Sequence, residues 1–284
     1  MSQLRILALT VIAFSVMLDG CITYYRADAF SGINPAGMST RSTVRASYSR
    51  YTASAYFDGE DEFPHTSRES ATESSYHRDE FVAEYTRDIG HHTRFVASLP
   101  ASRVTQQGQT EGDWRVEHVW IGTMHMRADR RVSLLLALGV PLAGGVEGLR
   151  SPTSDQGNDT RLAAMTVVAN GFEPDHWSYY LRLGAVAHLG SSSNNERVYE
   201  FQGETHVAPA IGPVHAGLRL DAKFTLVSDD SESTPLSRDA VAVGPTIHME
   251  LAKSLAFSMQ YRKEVFGYFA SAGSSVRVGF DAGF

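Results

Sequence analysis

The chain is 284 residues long, 43% hydrophobic and 20% charged, with 25 Lys and Arg against 32 Asp and Glu for a formal net charge of -7. This composition excludes a disordered chain, and the acidic balance argues against a nucleic acid partner, which needs a cationic surface to displace phosphate counterions. The single cysteine excludes an intramolecular disulfide and any cysteine-clustered zinc or iron-sulfur centre.

Residues 1–5 carry one positive charge and residues 6–18 are almost wholly apolar. Such a run has the length of a secretory h-region and is too short to span a bilayer as a helix. Leu18-Asp19-Gly20-Cys21 resembles a lipobox, which implies removal of residues 1–20 and a lipid on Cys21; Asp19 departs from the usual pattern. Ala27-Asp28-Ala29 offers the small-x-small spacing of ordinary signal-peptide cleavage, and an uncut anchor is the third alternative. All three export the body of the chain. The position of the sole cysteine favours the lipid reading over a free thiol.

Residues 21–41 show no periodicity and are expected to form a periplasmic or hatch-like segment. Asp28-Ala29 followed by Asn34-Pro35-Ala36-Gly37-Met38 resembles the N-terminal hatch of the FadL-type long-chain fatty-acid transporters of the outer membrane. The resemblance is confined to these residues. It implies that Asn34, Pro35, Ala36 and Gly37 control the entry of a hydrophobic substrate. By local chemistry the same residues read as a turn before a strand, since Asn-Pro favours an extended residue and Gly37 permits positive φ. That family uses fourteen strands and a longer hatch, whereas this chain has room for twelve strands.

From residue 42 to 284 the sequence alternates apolar and polar residues, with Gly, Ser, Asn and Asp between the segments. The pattern predicts strands over residues 42–57, 75–88, 92–104, 113–127, 131–143, 160–170, 176–190, 197–208, 213–227, 239–251, 254–264 and 273–284. Each has one greasy face. Val132, Leu134, Leu136, Leu138, Val140 and Leu142 form one such row; Trp177, Tyr179, Leu181, Leu183, Ala185, Ala187 and Leu189 form another. In a third, Val214, Ala216, Leu218, Leu220, Ala222, Phe224 and Leu226 carry no charge, which exceeds the needs of a soluble sandwich. Connections after even strands are short, except for the somewhat longer Gly171 to Asp175, and those after odd strands are longer and mostly polar (58–74, 105–112, 144–159, 191–196, 228–238, 265–272). Long-short alternation and an even strand count are the signature of an antiparallel up-and-down transmembrane barrel with periplasmic turns and extracellular loops.

Trp114, Trp120, Trp177, Tyr179, Tyr261, Phe280 and Phe284 are expected in interfacial girdles. Two places break the alternation. His118 falls on the row of Trp114, Val116 and Trp120 unless a bulge turns Val119 and Ile121 outward, and the first strand has Val44, Ala46 and Tyr48 on one face but Tyr51, Ala53, Ala55 and Phe57 on the other. The opposite faces collect Glu80, Glu84, Arg94, Arg115, Glu117, Arg182, His188, Arg219, Asp221, Lys223, His248, Glu250, Arg262, Arg277 and Asp281 as lumen candidates. Such charges either pair and pack the interior or tune a polar conduit.

The chain ends with Val276, Val278, Phe280, Ala282 and Phe284 on one face, which resembles the C-terminal β-signal of bacterial outer-membrane barrels. That resemblance implies that the barrel-assembly machinery reads Phe280 and Phe284. No phosphate-binding glycine loop opens a helix, the 11 His residues include no HExxH spacing, and the acidic loop residues read as solvated, so neither metal nor cofactor is expected. His118 is the candidate for an outer-membrane phospholipase, an arrangement that would need a Ser partner and an oxyanion site on the outer face. The sequence thus points away from an enzyme. It points to a barrel of the bacterial cell outer membrane, bathed in lipid, passively taking up small, hydrophobic compounds. A structural or surface-interaction barrel with a closed lumen is the alternative.

Overall fold

Strands that are apolar on one side and polar on the other can bury neither face alone, and closing the sheet on itself gives each face its own solvent. The computed structural model describes residues 42–57, 68–70, 76–106, 114–116, 118–126, 132–142, 160–169, 177–189, 197–228, 239–252, 254–268 and 270–284. Twelve long strands are found among these: β1 (Ser42–Phe57), β2 (Tyr76–Asp88), β3 (Thr93–Gln106), β4 (His118–Met126, preceded by Arg115–Val116), β5 (Val132–Pro141) and β6 (Arg161–Ala169). The second half comprises β7 (Ser178–His188), β8 (Arg197–Ala208), β9 (Val214–Ser228), β10 (Asp239–Ala252), β11 (Leu255–Tyr268) and β12 (Ala270–Gly283). Two short pieces, Arg68–Ser70 and Ala210–Ile211, pair with β1 and β9.

Each strand pairs antiparallel with the next, and β12 returns to β1 from Thr43↔Gly283 to Phe57↔Ala270. At the seam Ser42 and Phe284 exchange both backbone hydrogen bonds, at 3.1 and 3.0 Å. The fold is therefore a closed all-β barrel in which the long strands leave no free edge. Leu134, Leu136, Leu138 and Val140 on β5, Leu218 and Leu220 on β9, and Val276 and Phe280 on β12 are exposed on the outside. Phe280 packs against Phe257 of β11 with ring centroids 5.3 Å apart. This inside-out burial is the reverse of a soluble sandwich and matches a surface solvated by acyl chains.

Two expectations need correction. Trp120 belongs to no outer girdle: it is 5% exposed and points inward with His118. The cause is a register shift against β3, where Ala101 pairs with Val116 but Ser98 pairs with Trp120, so Val116, Val119 and Ile121 take the outer face. On β1, Tyr51 and Ala53 lie inside and Val44 and Tyr48 outside, on opposite faces as the alternation has them, because the pairing with β2 runs unbroken from Ser42↔Arg87 to Ala53↔Tyr76. Finally, most of the span expected as the outer loop 265–272 is ribbon, because β11 continues as far as Tyr268 and β12 starts at Ala270.

Candidate functional site: the barrel lumen

Alternate residues of every strand point inward, and their chemistry divides the lumen into two walls. On one wall, formed by β7 to β12 with β1 and β2, charges interlock. Arg182 of β7 reaches Glu204 of β8 at 2.9 Å, and Arg219 of β9 reaches the same carboxylate at 3.2 Å and Asp221 at 2.7 Å. Arg219 also donates to Gln260 Oε1 of β11 at 2.6 Å, passing over β10. Lys223 pairs with Glu200 at 3.1 Å, and Arg262 lies 3.7 Å from Glu264 and 3.9 Å from Asp221. Arg277 of β12 bridges over β1 to Glu80 of β2 at 3.5 Å. Nearer the short-turn end Arg45 holds Asp281, its register partner, with Glu84 within electrostatic reach. Glu250 occupies the same inward row of β10 as buried His248 and is itself partly covered.

The other wall is apolar. Val96 of β3, Trp120, Met124 and Met126 of β4, Leu135 and Ala137 of β5, Ala163 and Met165 of β6 and Val186 of β7 form one buried cluster. Gly139 makes room for it: a Cβ there would sit 3.1 Å from the Trp120 ring. Charges close this wall at its ends. Arg94 pairs with Asp88 at 2.7 Å at the short-turn end, and buried Arg161 stands at the start of β6.

Higher in the lumen Tyr51 donates to Glu264 Oε2 at 2.6 Å, and the Gly273 backbone N–H donates to the same oxygen at 2.9 Å. Gly273 is required there, because a Cβ would lie 2.4 Å from the Tyr51 ring. The tyrosine thus lies across β12 to reach a carboxylate of β11. Two donors and a nearby guanidinium offset the cost of taking that carboxylate out of water.

The lumen is narrow at the level of Arg45. β1 and β7 are six strands apart in the ring, yet Arg45 interacts electrostatically with Tyr180, and Glu84 of β2 with Arg182. Groups on opposite sides of the ring are therefore within electrostatic range of one another across the axis. Arg182, Arg219, Glu84 and Glu204 are each 4 to 5% exposed, so little free water surrounds them.

Of the remaining sequence candidates, Glu117, Cys21, Asn34, Pro35, Ala36 and Gly37 lie outside the described residues, as do the leader and both cleavage sites; the side chains of Arg115 and His188 are likewise not described. Phe280 and Phe284 point outward on the last strand, the latter 69% exposed. His118 is 2% exposed and inside, with its ring 6.2 Å from that of Trp120, so it is not presented to lipid as the phospholipase arrangement requires. The apolar wall and the Tyr51–Glu264 contact escaped sequence reasoning. For the wall a signal existed: Leu134-Leu135-Leu136-Ala137-Leu138 is apolar on both faces.

No family model and no curated protein matches the chain. Solved structures do. An outer membrane channel from Pseudomonas putida F1 superposes with a TM-score of 0.65 at 10% identity, covering 92% of this chain and 100% of that one. The translocator domain of the autotransporter NalP from Neisseria meningitidis gives 0.52 at 13% identity, over 99% and 95%. The β domain of a Bordetella autotransporter gives 0.51 at 12%, over 85% and 100%. At such identities the likeness is one of fold: the chain shares the outer-membrane β-barrel architecture, which serves both a channel and translocators.

Proposed function

We propose that the protein is a channel of the bacterial outer membrane for the passive passage of small molecules that have an apolar part. The observation that carries this reading is the divided lumen. A barrel filled only for stability has no need to set a continuous apolar strip of Trp120, Met124, Leu135 and Met165 beside a wall of ion pairs. A solute with a greasy body and a polar end finds a partner for each part on such walls. The fold shared with the outer membrane channel of Pseudomonas putida agrees with this reading. The likeness of Asn34-Pro35-Ala36 to a hatch supports a hydrophobic cargo, with entry controlled by residues 21–41. Assembly into lipid would use the terminal row of Phe280 and Phe284 as its recognition strand.

Reconstitution tests the reading. Purified mature protein in planar bilayers is expected to conduct weakly, and proteoliposomes to take up small aromatic compounds faster than sugars of equal size, with both rates raised by deleting residues 22–41. The buried charges of Arg182, Arg219, Glu84 and Glu204, with Arg45 and Tyr180 in electrostatic range across the axis, favour a second reading, a closed barrel that acts through its outer loops. Silence in both assays, for the deletion variant as well, would establish that second reading.

A further inference from the structure

At the narrow level of the lumen the two walls join within one row of the sheet. Register neighbours run Asp281↔Arg45↔Glu84↔Ser98↔Trp120↔Gly139 from β12 to β5, so Glu84 and Ser98 form the border between the ion pairs and the apolar strip. Side chains paired in this way share a face, with Cβ atoms about 5 Å apart. Arg45 gives its guanidinium to Asp281, with Nη2 2.7 Å from Oδ2. Glu84 is 4% exposed and Ser98 2%. Among the described residues no group hydrogen-bonds Glu84 Oε1 or Ser98 Oγ. The same is true of the hydroxyl of Tyr180, which is buried on the opposite wall and, like Glu84, within electrostatic range of Arg45 and Arg182.

A buried carboxylate oxygen without a donor is costly, and so is a buried hydroxyl without a partner. Both costs fall when a group arrives that can donate to one and accept from the other. A solute hydroxyl does this: its O–H donates to Glu84 Oε1, its oxygen accepts from the Ser98 O–H, and neither of these atoms has a protein bond to break. A hydrocarbon must part the same walls and gains neither bond. Ions fare worse, since an anion would approach Glu84 and an ammonium group would approach Arg45. The same row leads on to the Trp120 ring, and Met124 lies two inward positions from it on β4. The apolar body of a solute whose hydroxyl rests between Glu84 and Ser98 therefore lies along the strip.

We propose that Glu84 and Ser98 form a recognition site for the hydroxyl group of a neutral, otherwise apolar alcohol, which makes such alcohols the class of solute that the lumen favours. The site takes its role from the channel reading above, but its binding is measurable without transport. Benzyl alcohol and ethylbenzene share one skeleton and differ in a hydroxyl against a methyl group. Equilibrium dialysis of the full mature chain in detergent, with empty micelles as the reference for partitioning, measures the binding of each, and heat-modifiable gel mobility confirms the folding of each variant. Wild type should bind benzyl alcohol about tenfold more tightly than ethylbenzene, with benzoate and benzylammonium weaker than the alcohol. Ser98→Ala and Glu84→Gln should each cut that preference to about threefold, and the Glu84→Leu/Ser98→Ala pair should abolish it. Ser133→Ala, which removes another buried hydroxyl from β5, should leave it unchanged. The Ser98→Ala barrel should unfold in urea at the wild-type midpoint or above, because its hydroxyl has no bond to lose. Equal binding of alcohol and hydrocarbon by wild type overturns the site, as does a preference that survives in the double variant. A lowered midpoint for Ser98→Ala also overturns it, since the hydroxyl would then be engaged in the resting barrel. Alcohol binding intact beside silent channel assays would remove the transport reading and leave the site, whereas conduction and uptake with no preference in binding would remove the site and leave the channel.

Discussion

Arg182, Glu204 and Arg219 interlock on β7 to β9, whereas Met124, Leu135 and Met165 fill equivalent inward positions on β4 to β6. Both walls are buried, but their stabilities have different origins. The apolar wall gains by excluding water in proportion to its area, and loses a little for each methylene removed. The charged wall has already given up the hydration of every ion, so it holds only while each partner is in place. The two should therefore respond differently to the loss of one side chain.

Removing Glu204 is the strongest way to break the charged wall. Its carboxylate is shared by Arg182 and Arg219, and all three are buried. Glu204→Ala should cost about 3 to 5 kcal/mol, because Arg182 loses its main counter-charge and Arg219 is left with Asp221. Urea unfolding from detergent, followed by tryptophan fluorescence, would show the lowered midpoint. A loss below about 1 kcal/mol would mean that water already screens the pair, as it does at exposed sites, and the lumen would be wetter than its burial indicates.

A comparison of outside with inside comes next in size. Leu136 points to lipid and Leu135 to the apolar wall, one residue apart on β5. Leu136→Arg should cost about 2 to 4 kcal/mol in a bilayer if its height is near the midplane, and much less in detergent micelles that relax around the charge. Lipid dependence is the signature. Equal destabilisation in both media would place Leu136 against protein instead of lipid.

These two neighbours also show what could be read from the chain alone. The lipid-facing rows were legible because hydrocarbon imposes one rule on every outward position, and a period of two exposes it. The inner face obeys no such rule. Lumen charges such as Arg219 and Asp221 stood out against a greasy row, but Leu135 and Met165 are apolar residues on an inward face, indistinguishable from noise in the alternation. β4 was harder still, since its register shifts between Val116 and His118 and moves Trp120 from the lipid row to the lumen. Partners on distant parts of the chain, as in Tyr51 and Glu264, leave no local trace at all.

The apolar wall should prove the more forgiving one. Met124→Ala leaves a cavity beside Trp120 and should cost about 2 to 3 kcal/mol. It also widens the greasy strip, so uptake of a small aromatic solute into proteoliposomes should rise while that of a sugar stays the same. A rise in both would indicate a general loosening of the barrel and not a path along that wall.

The smallest effect is expected where the charged wall borrows an aromatic residue. Tyr51 contributes a single hydroxyl to Glu264, which keeps the Gly273 N–H as a second donor, with Arg262 nearby. Tyr51→Phe leaves the ring on Gly273 and removes the hydroxyl from Glu264, so about 1.5 to 3 kcal/mol is at stake, the range for a bond to a charged group. Gly273→Ala attacks the same contact from the other side by pushing on the ring. If the two variants destabilise the barrel and the double variant is no worse than the more severe single one, ring and carboxylate act as one unit. Simple additivity would separate them, and Glu264 would then not owe its place to the tyrosine.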